Sequence, residues 1–385
     1  MSFGHLNKII TLSDISSGIG VSEIFIKDLG LSQSPARSTM SDGNKKRNWK
    51  VYELLYNELI SEDNLWDGID TYYYELFYNE LISYYGKVLS STSHKKVIEE
   101  IKDKKIKLID STIISVCLSM FDWAKYRTAK VGIKIHTCWD DTLMIPDVIN
   151  ITNAKLHDRK GLDKLVFPKD TIVVEDRAYF DFTLMLSRIK AQNVFVTRIK
   201  KNTLFESIAE TDLFEETSDN ILKDEIIILN SEKAKECAIN KEKLRLVHVY
   251  KEDENKVIEI ITNQLDWKAE TIAVLYKKRW DIELFFKALK QNLQIKLFLG
   301  TSENAVKSQI YIALICYLLL ELLRRTATKK TVAFSNFVEK IRFCLPYYLS
   351  ISYVCNHISE GANRVKQPHP LNLFPKHDLF SCEYG

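Results

Sequence analysis

The sequence predicts an α/β protein, with a mixed sheet in the middle of the chain and mainly helical regions before and after it. Three observations carry this reading. Short, branched apolar runs recur between residues 107 and 199, with one helical stretch among them. Near both ends, apolar residues instead recur at spacings of three and four. Between residues 200 and 262 the pattern weakens into further strand-like runs.

Taken in order, residues 1–100 form a helical region, with amphipathic stretches at Val51–Ile60 (VYELLYNELI) and Tyr72–Leu89. The segment Ser34–Lys50 is small, polar and basic. Ser38 or Thr39 is placed to cap a helix there. Arg37, Lys45, Lys46, Arg47 and Lys50 are placed either to face phosphates or to form a solvated basic surface. Residues 101–199 hold the strand candidates Lys107–Ile114, Gly132–His136, Thr171–Asp176 and Asn193–Ile199, with a helix over Phe180–Ala191. Strand, strand, strand, helix, strand suggests a mixed sheet. Residues 200–262 read as a β-rich insertion with strands at Glu225–Leu229, Leu246–Tyr250 and Val257–Thr262. Residues 263–325 return to helical period at Lys268–Asn292 and Val306–Arg325. A C-terminal region, 326–385, adds a helix at Phe334–Phe343 and a tail broken by Pro346, Pro368, Pro370 and Pro375.

Composition excludes several classes. Hydrophobic residues are 46% and charged residues 27%, which is neither disordered nor fibrous. The 54 basic and 51 acidic residues give +3, a charge that permits a nucleic-acid partner without indicating one. Seven scattered cysteines without C-x-x-C spacing suit reduced thiols in a cytoplasmic protein and show no zinc-site pattern. The start has no signal-peptide pattern. The most apolar run, Ile310–Leu323, is too short to span a bilayer and reads as a core helix, so no membrane partner is expected.

Two aspartates stand out. Asp110 lies late in the strand run KLIDSTII, and Asp176 lies where TIVVED gives way to a helix. A carboxylate in an apolar strand is costly unless it sits at the strand end or binds something. On neighbouring strands such a pair is suited to a hard divalent cation, although Asp176 is equally placed to cap the next helix or pair with Arg177. A third element is YKKRWDIELFFKALKQN. Tyr276, Arg279, Glu283 and Lys290 fall within roughly 60° of arc on a regular helix, with Lys287 on nearly the same line. Leu275, Ile282, Phe285, Phe286 and Leu289 remain for packing. A surface helix with a Glu283–Lys287 pair explains two of these residues and not the set. If the three carboxylates converge, two metal ions about 3.5–4 Å apart would activate a nucleophile and stabilise a leaving oxygen. Arg279, Lys287 and Lys290 would hold phosphates, and Tyr276 would bond a phosphate or stack near a base. His136 and His157 lie between the aspartates. His157 precedes Asp158 and reads equally as part of a surface pair, and neither histidine is assigned a catalytic role.

These motifs resemble the bacterial DDE transposases of the insertion-sequence-four family. The Tyr-x2-Arg-x3-Glu-x6-Lys signature is complete as Tyr276, Arg279, Glu283 and Lys290, Asp110 matches the family's IDST-like motif, and Asp176 its DR-x-Y-x-D motif with Arg177, Tyr179 and Asp181. Gly132–Thr137 and Ile151–Asp158 also look familial, so the resemblance covers about residues 105–325. It implies a ribonuclease H-like catalytic core with a β-rich insertion before the helix bearing Glu283. Asp110, Asp176 and Glu283 are then the catalytic metal ligands for two Mg2+ ions, with Mn2+ as a substitute. The implied activity is cleavage at the element's terminal inverted repeats and joining of 3′ ends to target DNA, by a homodimer in the DNA complex, in the cytoplasm at the nucleoid. Similar proteins often carry more helical sequence before the ARSTMSDGNKKR-like segment, so this DNA-binding region reads as that of a compact member, of a late start codon or of a shortened copy. The rival readings are a metal-dependent DNA endonuclease without strand transfer, an inactive shortened transposase copy, a DNA-binding protein without catalysis, and a small-molecule phosphohydrolase.

Overall fold

A computed structural model of the chain describes residues 7, 11–60, 100–116, 125–127, 130–141, 143–162, 165–210, 220–293, 295, 298–327 and 332–344. The helix expected at Tyr72–Leu89 and the proline-broken tail lie outside these residues. The described residues fall into two compact units, one drawn from 1–56, 288–300 and 308–385, the other from 57–287 and 301–307.

The first unit is helical. It contains α1 (Leu12–Gly20), α2 (Glu23–Asp28), α3 (Arg37–Lys46) and the start of α4 (Lys50–Ile60). Thr11 caps α1, its Oγ1 accepting from the Asp14 amide at 3.0 Å, which satisfies one of the free N–H groups of the first turn. Leu12, Ile15 and Ile19, spaced three and four apart, are buried with Ile26, Met40 and Leu299 packed against them. Trp49 stacks on Tyr311 with ring centroids 5.6 Å apart, and the Tyr311 hydroxyl donates to Glu53 at 2.8 Å.

The second unit is built on a ten-stranded sheet. Its strands are β1 (Ile106–Val116), β2 (Lys125–Arg127), β3 (Lys130–Asp140), β4 (Ile145–Asn153), β5 (Ile172–Glu175), β6 (Val194–Arg198), β7 (Phe205–Glu210), β8 (Ile221–Leu229), β9 (Leu244–Lys251) and β10 (Lys256–Thr262). β1, β5 and β6 run parallel, and β3 pairs antiparallel with β1. The outer edge of β3 takes β4 along most of its length and β2 at its start. The helices of this region are α5 (Asp158–Gly161), α6 (Phe182–Lys190), α7 (Glu232–Glu236) and α8 (Ala269–Lys287). Further along are α9 (Glu303–Ala327) and α10 (Phe334–Cys344). The apolar run Ile310–Leu323 lies in α9, where its one acid, Glu321, pairs with Arg324 at 2.5 Å. Among the described residues no helix is long and apolar enough to cross a membrane.

The expected strands overlap β1, β3, β5, β6, β8, β9 and β10, overrunning β5 and β6 by one residue at each end, while β2, β4 and β7 are additional. β4 (IPDVINITN) mixes Pro146, Asp147 and Asn150 into its apolar positions, and a register shift opposite Cys138 and Trp139 breaks its alternation further. β7 is an edge strand with five of its six residues exposed, so it carries no apolar stripe. β5 is buried at every position, the pattern of a strand covered on both faces.

The strands of 200–262 do not form a sheet of their own. β10 bonds antiparallel to β6, and β9, β8 and β7 follow it outward in the same sheet. Phe195, Ile227, Leu229, Leu244, Leu246 and Ile261 share one buried cluster with Phe180 and Met185. The buried Arg245 ties β9 both sideways and forward. It donates to Asp224 at 2.8 and 2.5 Å and to the carbonyls of Leu265 and Trp267, in the segment that enters α8.

His136 of β3 is fully buried, with Nε2 3.0 Å from Thr152 Oγ1 and Nδ1 without a partner. Burial first, and then the Lys134 ammonium, hold its pKa down at about 4 against the opposing pull of Asp158. A Cβ on Gly161 would overlap its ring, so that glycine is required for the close approach of α5 to β3. The folded state keeps His136 neutral while the unfolded chain protonates it below about 6.5. Stability from this residue is therefore complete above pH 6.5 and is lost as pH falls towards 4. Urea unfolding between pH 7 and pH 4 should show a loss of up to about 3 kcal/mol that is absent from His136→Gln. Gly161→Ala should cost about 1–3 kcal/mol at any pH.

Candidate active site

Register places the two aspartates side by side. Ile109 of β1 pairs with Glu175 of β5 in parallel, so Asp110 and Asp176 are the next residues along adjacent strands. The Asp176 amide donates to the Ile109 carbonyl at 3.4 Å. On its other side Asp110 is opposite Thr137 of β3. The Ser111 amide donates to Asp110 Oδ1 at 2.7 Å and fixes the carboxylate's orientation.

α8 brings the third acid. It buries Ile272, Leu275, Ile282, Phe285 and Phe286, and Phe285 meets Trp139 of β3 with ring centroids 5.4 Å apart. This leaves the Tyr276–Arg279–Glu283 stripe beside β1. Arg279 Nη1 lies 3.0 Å from Asp110 Oδ2 and 2.6 Å from Glu283 Oε1, and its Nε lies 3.9 Å from Asp176 Oδ1. One guanidinium thus touches all three carboxylates. Its carbon sits 5.7 Å from the Tyr276 ring centroid. The Tyr276 hydroxyl and Arg279 Nε are buried without a well-formed hydrogen bond. Exposure rises from 15% at Asp110 to 31% at Asp176 and 35% at Glu283, so the cluster opens away from β1.

Burial pushes Asp110 up to about 7. The Ser111 amide and Arg279 oppose that rise, and the charges of Asp176 and Glu283 add to it. Arg279 stays above its ordinary value, because Tyr276 and the three acids outweigh the effect of burial. Among the described residues no three His, Cys, Asp or Glu side chains stand together as a ready metal cage; here the guanidinium lies among the carboxylates. The donor set nevertheless suits a hard divalent cation. It is entirely carboxylate oxygen, and it already holds a positive charge at hydrogen-bond distance from two of its members.

The other foreseen residues fall as follows. Asp176 also caps the short 3-10 turn Arg177–Tyr179, accepting from the Ala178 amide at 3.1 Å, so its capping and cluster positions coexist. Lys287 ends α8 and is exposed. Lys290 lies beyond α8, in the π-helical turn Ala288–Asn292. The arc of a regular helix therefore holds for Tyr276, Arg279 and Glu283, with Lys287 widening it to about 80°, and the wider π turn takes Lys290 out of that count. Arg37, Lys45, Lys46 and Arg47 are exposed on α3 or just past it, with Lys46 3.7 Å from Asp42. The cap expected from Ser38 or Thr39 is replaced by Ala36, which makes no side-chain cap bond, and both hydroxyl residues lie inside the helix. His157 is exposed and precedes α5.

Sequence reasoning missed the layer behind the cluster. The Ser111 hydroxyl bonds to Asp158, which also lies 3.1 Å from Lys134. Burial alone would raise Asp158, but Ser111 and Lys134 hold it below the usual carboxylate range. Glu175, one residue before Asp176, pairs with Arg188 at 3.1 Å in the buried interior. The available signals were an Asp after His157 and a polar residue at the end of an otherwise apolar strand.

The middle of the chain also matches a known family by sequence. The family model described as transposase DDE domain matches residues 101–319, more than half the sequence, and the chain belongs to that family. A probable transposase for insertion sequence element IS5377 of Geobacillus stearothermophilus is 30% identical over 240 residues, 62% of each protein. A putative transposase for insertion sequence element IS4SA of Synechocystis is 30% identical over 264 residues, 66% of this chain and 71% of that one. The chain thus spans less than two thirds of the length of the first of these relatives. A piggyBac transposase synaptic complex with hairpin DNA shares 11% identity at a TM-score of 0.38, over 94% of this chain and 82% of that one, a likeness too slight to bear on the fold.

Removing the guanidinium leaves three acids facing one another. Arg279→Ala should lower unfolding stability by about 1–3 kcal/mol. Adding Asp110→Asn should recover part of that loss, read as a coupling energy in a double-mutant cycle by urea unfolding.

Proposed function

We propose that the chain is a DNA transposase of the insertion-sequence-four group. In this reading it cleaves at the terminal inverted repeats of its own element and joins the 3′ ends to target DNA. The observation that carries it is the convergence of Asp110, Asp176 and Glu283 on one guanidinium, from β1, the end of β5 and α8. The order β4-β3-β1-β5-β6, with β1, β5 and β6 parallel, supports a ribonuclease H-like core. On this reading residues 1–100 bind DNA, 101–199 and 263–325 make the core, 200–262 are the insertion and 326–385 a helical C-terminal region.

Asp110, Asp176 and Glu283 would together hold two Mg2+ ions. Such ions supply Lewis acidity and a nucleophile of lowered pKa, the attacking water or 3′-hydroxyl. The chain's own residues orient the substrate. Arg279 is long enough to turn from the carboxylates to a phosphate oxygen, and its planar fork suits that partner. Tyr276 offers a buried hydroxyl without a well-formed bond beside it. Lys287, on the exposed side of α8, and Lys290 beyond it add charge for the backbone further along. Pairing of two element ends calls for a homodimer in the DNA complex, and the nucleoid is where such a substrate lies.

A labelled duplex carrying the gene's flanking sequence tests this, with Mg2+ present and Asp110→Asn and Glu283→Ala beside the wild type. Nicking at the repeat boundary followed by a joined product is expected. Asp110→Asn should lower the cleavage rate by at least about a thousandfold, with DNA affinity changed by less than about threefold. Cutting without joining would reassign the chain as an endonuclease, and cutting retained in Asp110→Asn would overturn the site.

A further inference from the structure

Beside the carboxylate cluster lies a set of cations that the reaction residues do not use. Arg177 follows Asp176 directly and is exposed. Arg198 closes β6, one residue after Thr197, whose Oγ1 donates to the Asp176 carbonyl at 3.4 Å. Lys200 lies just past β6, its Nζ donating to the Phe180 carbonyl at 2.8 Å. Lys256 opens β10, and the pairing of Arg198 with Ile260 puts Arg198 and Lys256 on one face of the sheet by alternation.

These cations are poorly neutralised. Among the described residues neither Arg177, Arg198 nor Lys200 forms an ion pair. Glu254 is shared between Lys251 and Lys256. Lys46, Lys223 and Lys278, by comparison, each meet an acid, Asp42, Glu210 and Asp141 respectively. The crowding has an electrostatic signature. Burial, and then the charges of Arg198, Lys251 and Arg177, push Lys256 below its ordinary value. Arg198 also reaches towards the site, since its charge acts on the Tyr276 phenol. Like charges held together on strand ends repel one another, and a polyanion laid across them removes that cost. Two arginines at fixed strand ends suit phosphate oxygens in particular.

We propose that Arg177, Arg198, Lys200 and Lys256 form a phosphate track for DNA backbone, running from the Asp176 side of the carboxylate cluster across the ends of β5 and β6 to the start of β10. The track rests on the DNA-cleaving reading above and extends it. It assigns to the strand ends, and to the insertion strand β10, the backbone that flanks the reacting phosphate. Contacts of this kind position the strand without reading its sequence.

The test is the salt dependence of DNA binding, measured by fluorescence anisotropy on an end-labelled duplex of arbitrary sequence without divalent metal. Each phosphate contact adds about 0.9 to the slope of log affinity against log salt. The full chain is compared with Arg177→Ala/Arg198→Ala/Lys256→Ala and with the control Lys233→Ala/Lys241→Ala on the far part of the insertion. The triple variant should lose about two to three units of slope and bind at least about tenfold more weakly near 0.1 M salt, while the control keeps the wild-type slope. Wild-type slope and affinity in a folded triple variant would overturn the track and leave the cleavage reading standing. Absence of any salt-dependent binding by the wild type would instead remove the DNA reading and the track with it. Should the half-buried Arg198 prove necessary for folding, Arg177→Gln/Lys256→Gln changes exposed side chains only. A slope reduced by about one to two units in that double variant supports the track, and an unchanged slope overturns it.

Discussion

The contact between Arg279 and three carboxylates organises the second unit. Unit charges of like sign 5 Å apart repel by about 3 kcal/mol at an effective dielectric near 20, so three ionised acids gathered at a sheet edge need a cation among them or a proton on one of them. The cation must come from a rigid element, and α8 supplies it. Phe285 against Trp139 and the buried Ile272, Leu275 and Ile282 fix that helix beside β1. The packing of one helix face therefore decides where Arg279 and Glu283 stand, and the parallel pairing of β1 with β5 decides where Asp110 and Asp176 stand.

Behind the cluster, two further ion pairs keep the strands in place. Asp158 joins Lys134 of β3 to the Ser111 hydroxyl of β1, while the Ser111 amide holds Asp110. Glu175 and Arg188 clamp β5 to α6 immediately before Asp176. Buried pairs of this kind contribute less net stability than their geometry suggests, because desolvation offsets attraction. Their effect here is placement, since each fixes the backbone on one side of a site carboxylate.

The strands of 200–262 continue the same sheet and are not appended to it. Hydrogen bonds from β10 to β6 carry the core outward, and Arg245 binds the carbonyls of Leu265 and Trp267 at the entrance to α8. The segment that varies most in pattern is thus mechanically connected to the helix bearing Glu283. This continuity also sets Arg198 and Lys256 on one sheet face.

Much of this was legible in the residues themselves. The branched runs at β1, β5 and β6 are strands because apolar burial on both faces leaves few other solutions, and the stripe on α8 follows from a fixed 100° per residue. The ordered set of Asp110, Asp176, Tyr276, Arg279 and Glu283 carried the resemblance, and the structure brings those five side chains together. Three things were beyond the sequence. β4 and β7 carry no clean alternation, one broken by Pro146 and a register shift and the other lying exposed at the sheet edge. Lys290 left the stripe because the helix widens into a π turn, which period alone does not foresee. The Ser111–Asp158–Lys134 layer and the Arg177–Arg198–Lys256 surface join residues tens of positions apart. Only strand pairing brings such residues together, and pairing depends on which faces the whole chain can bury at once.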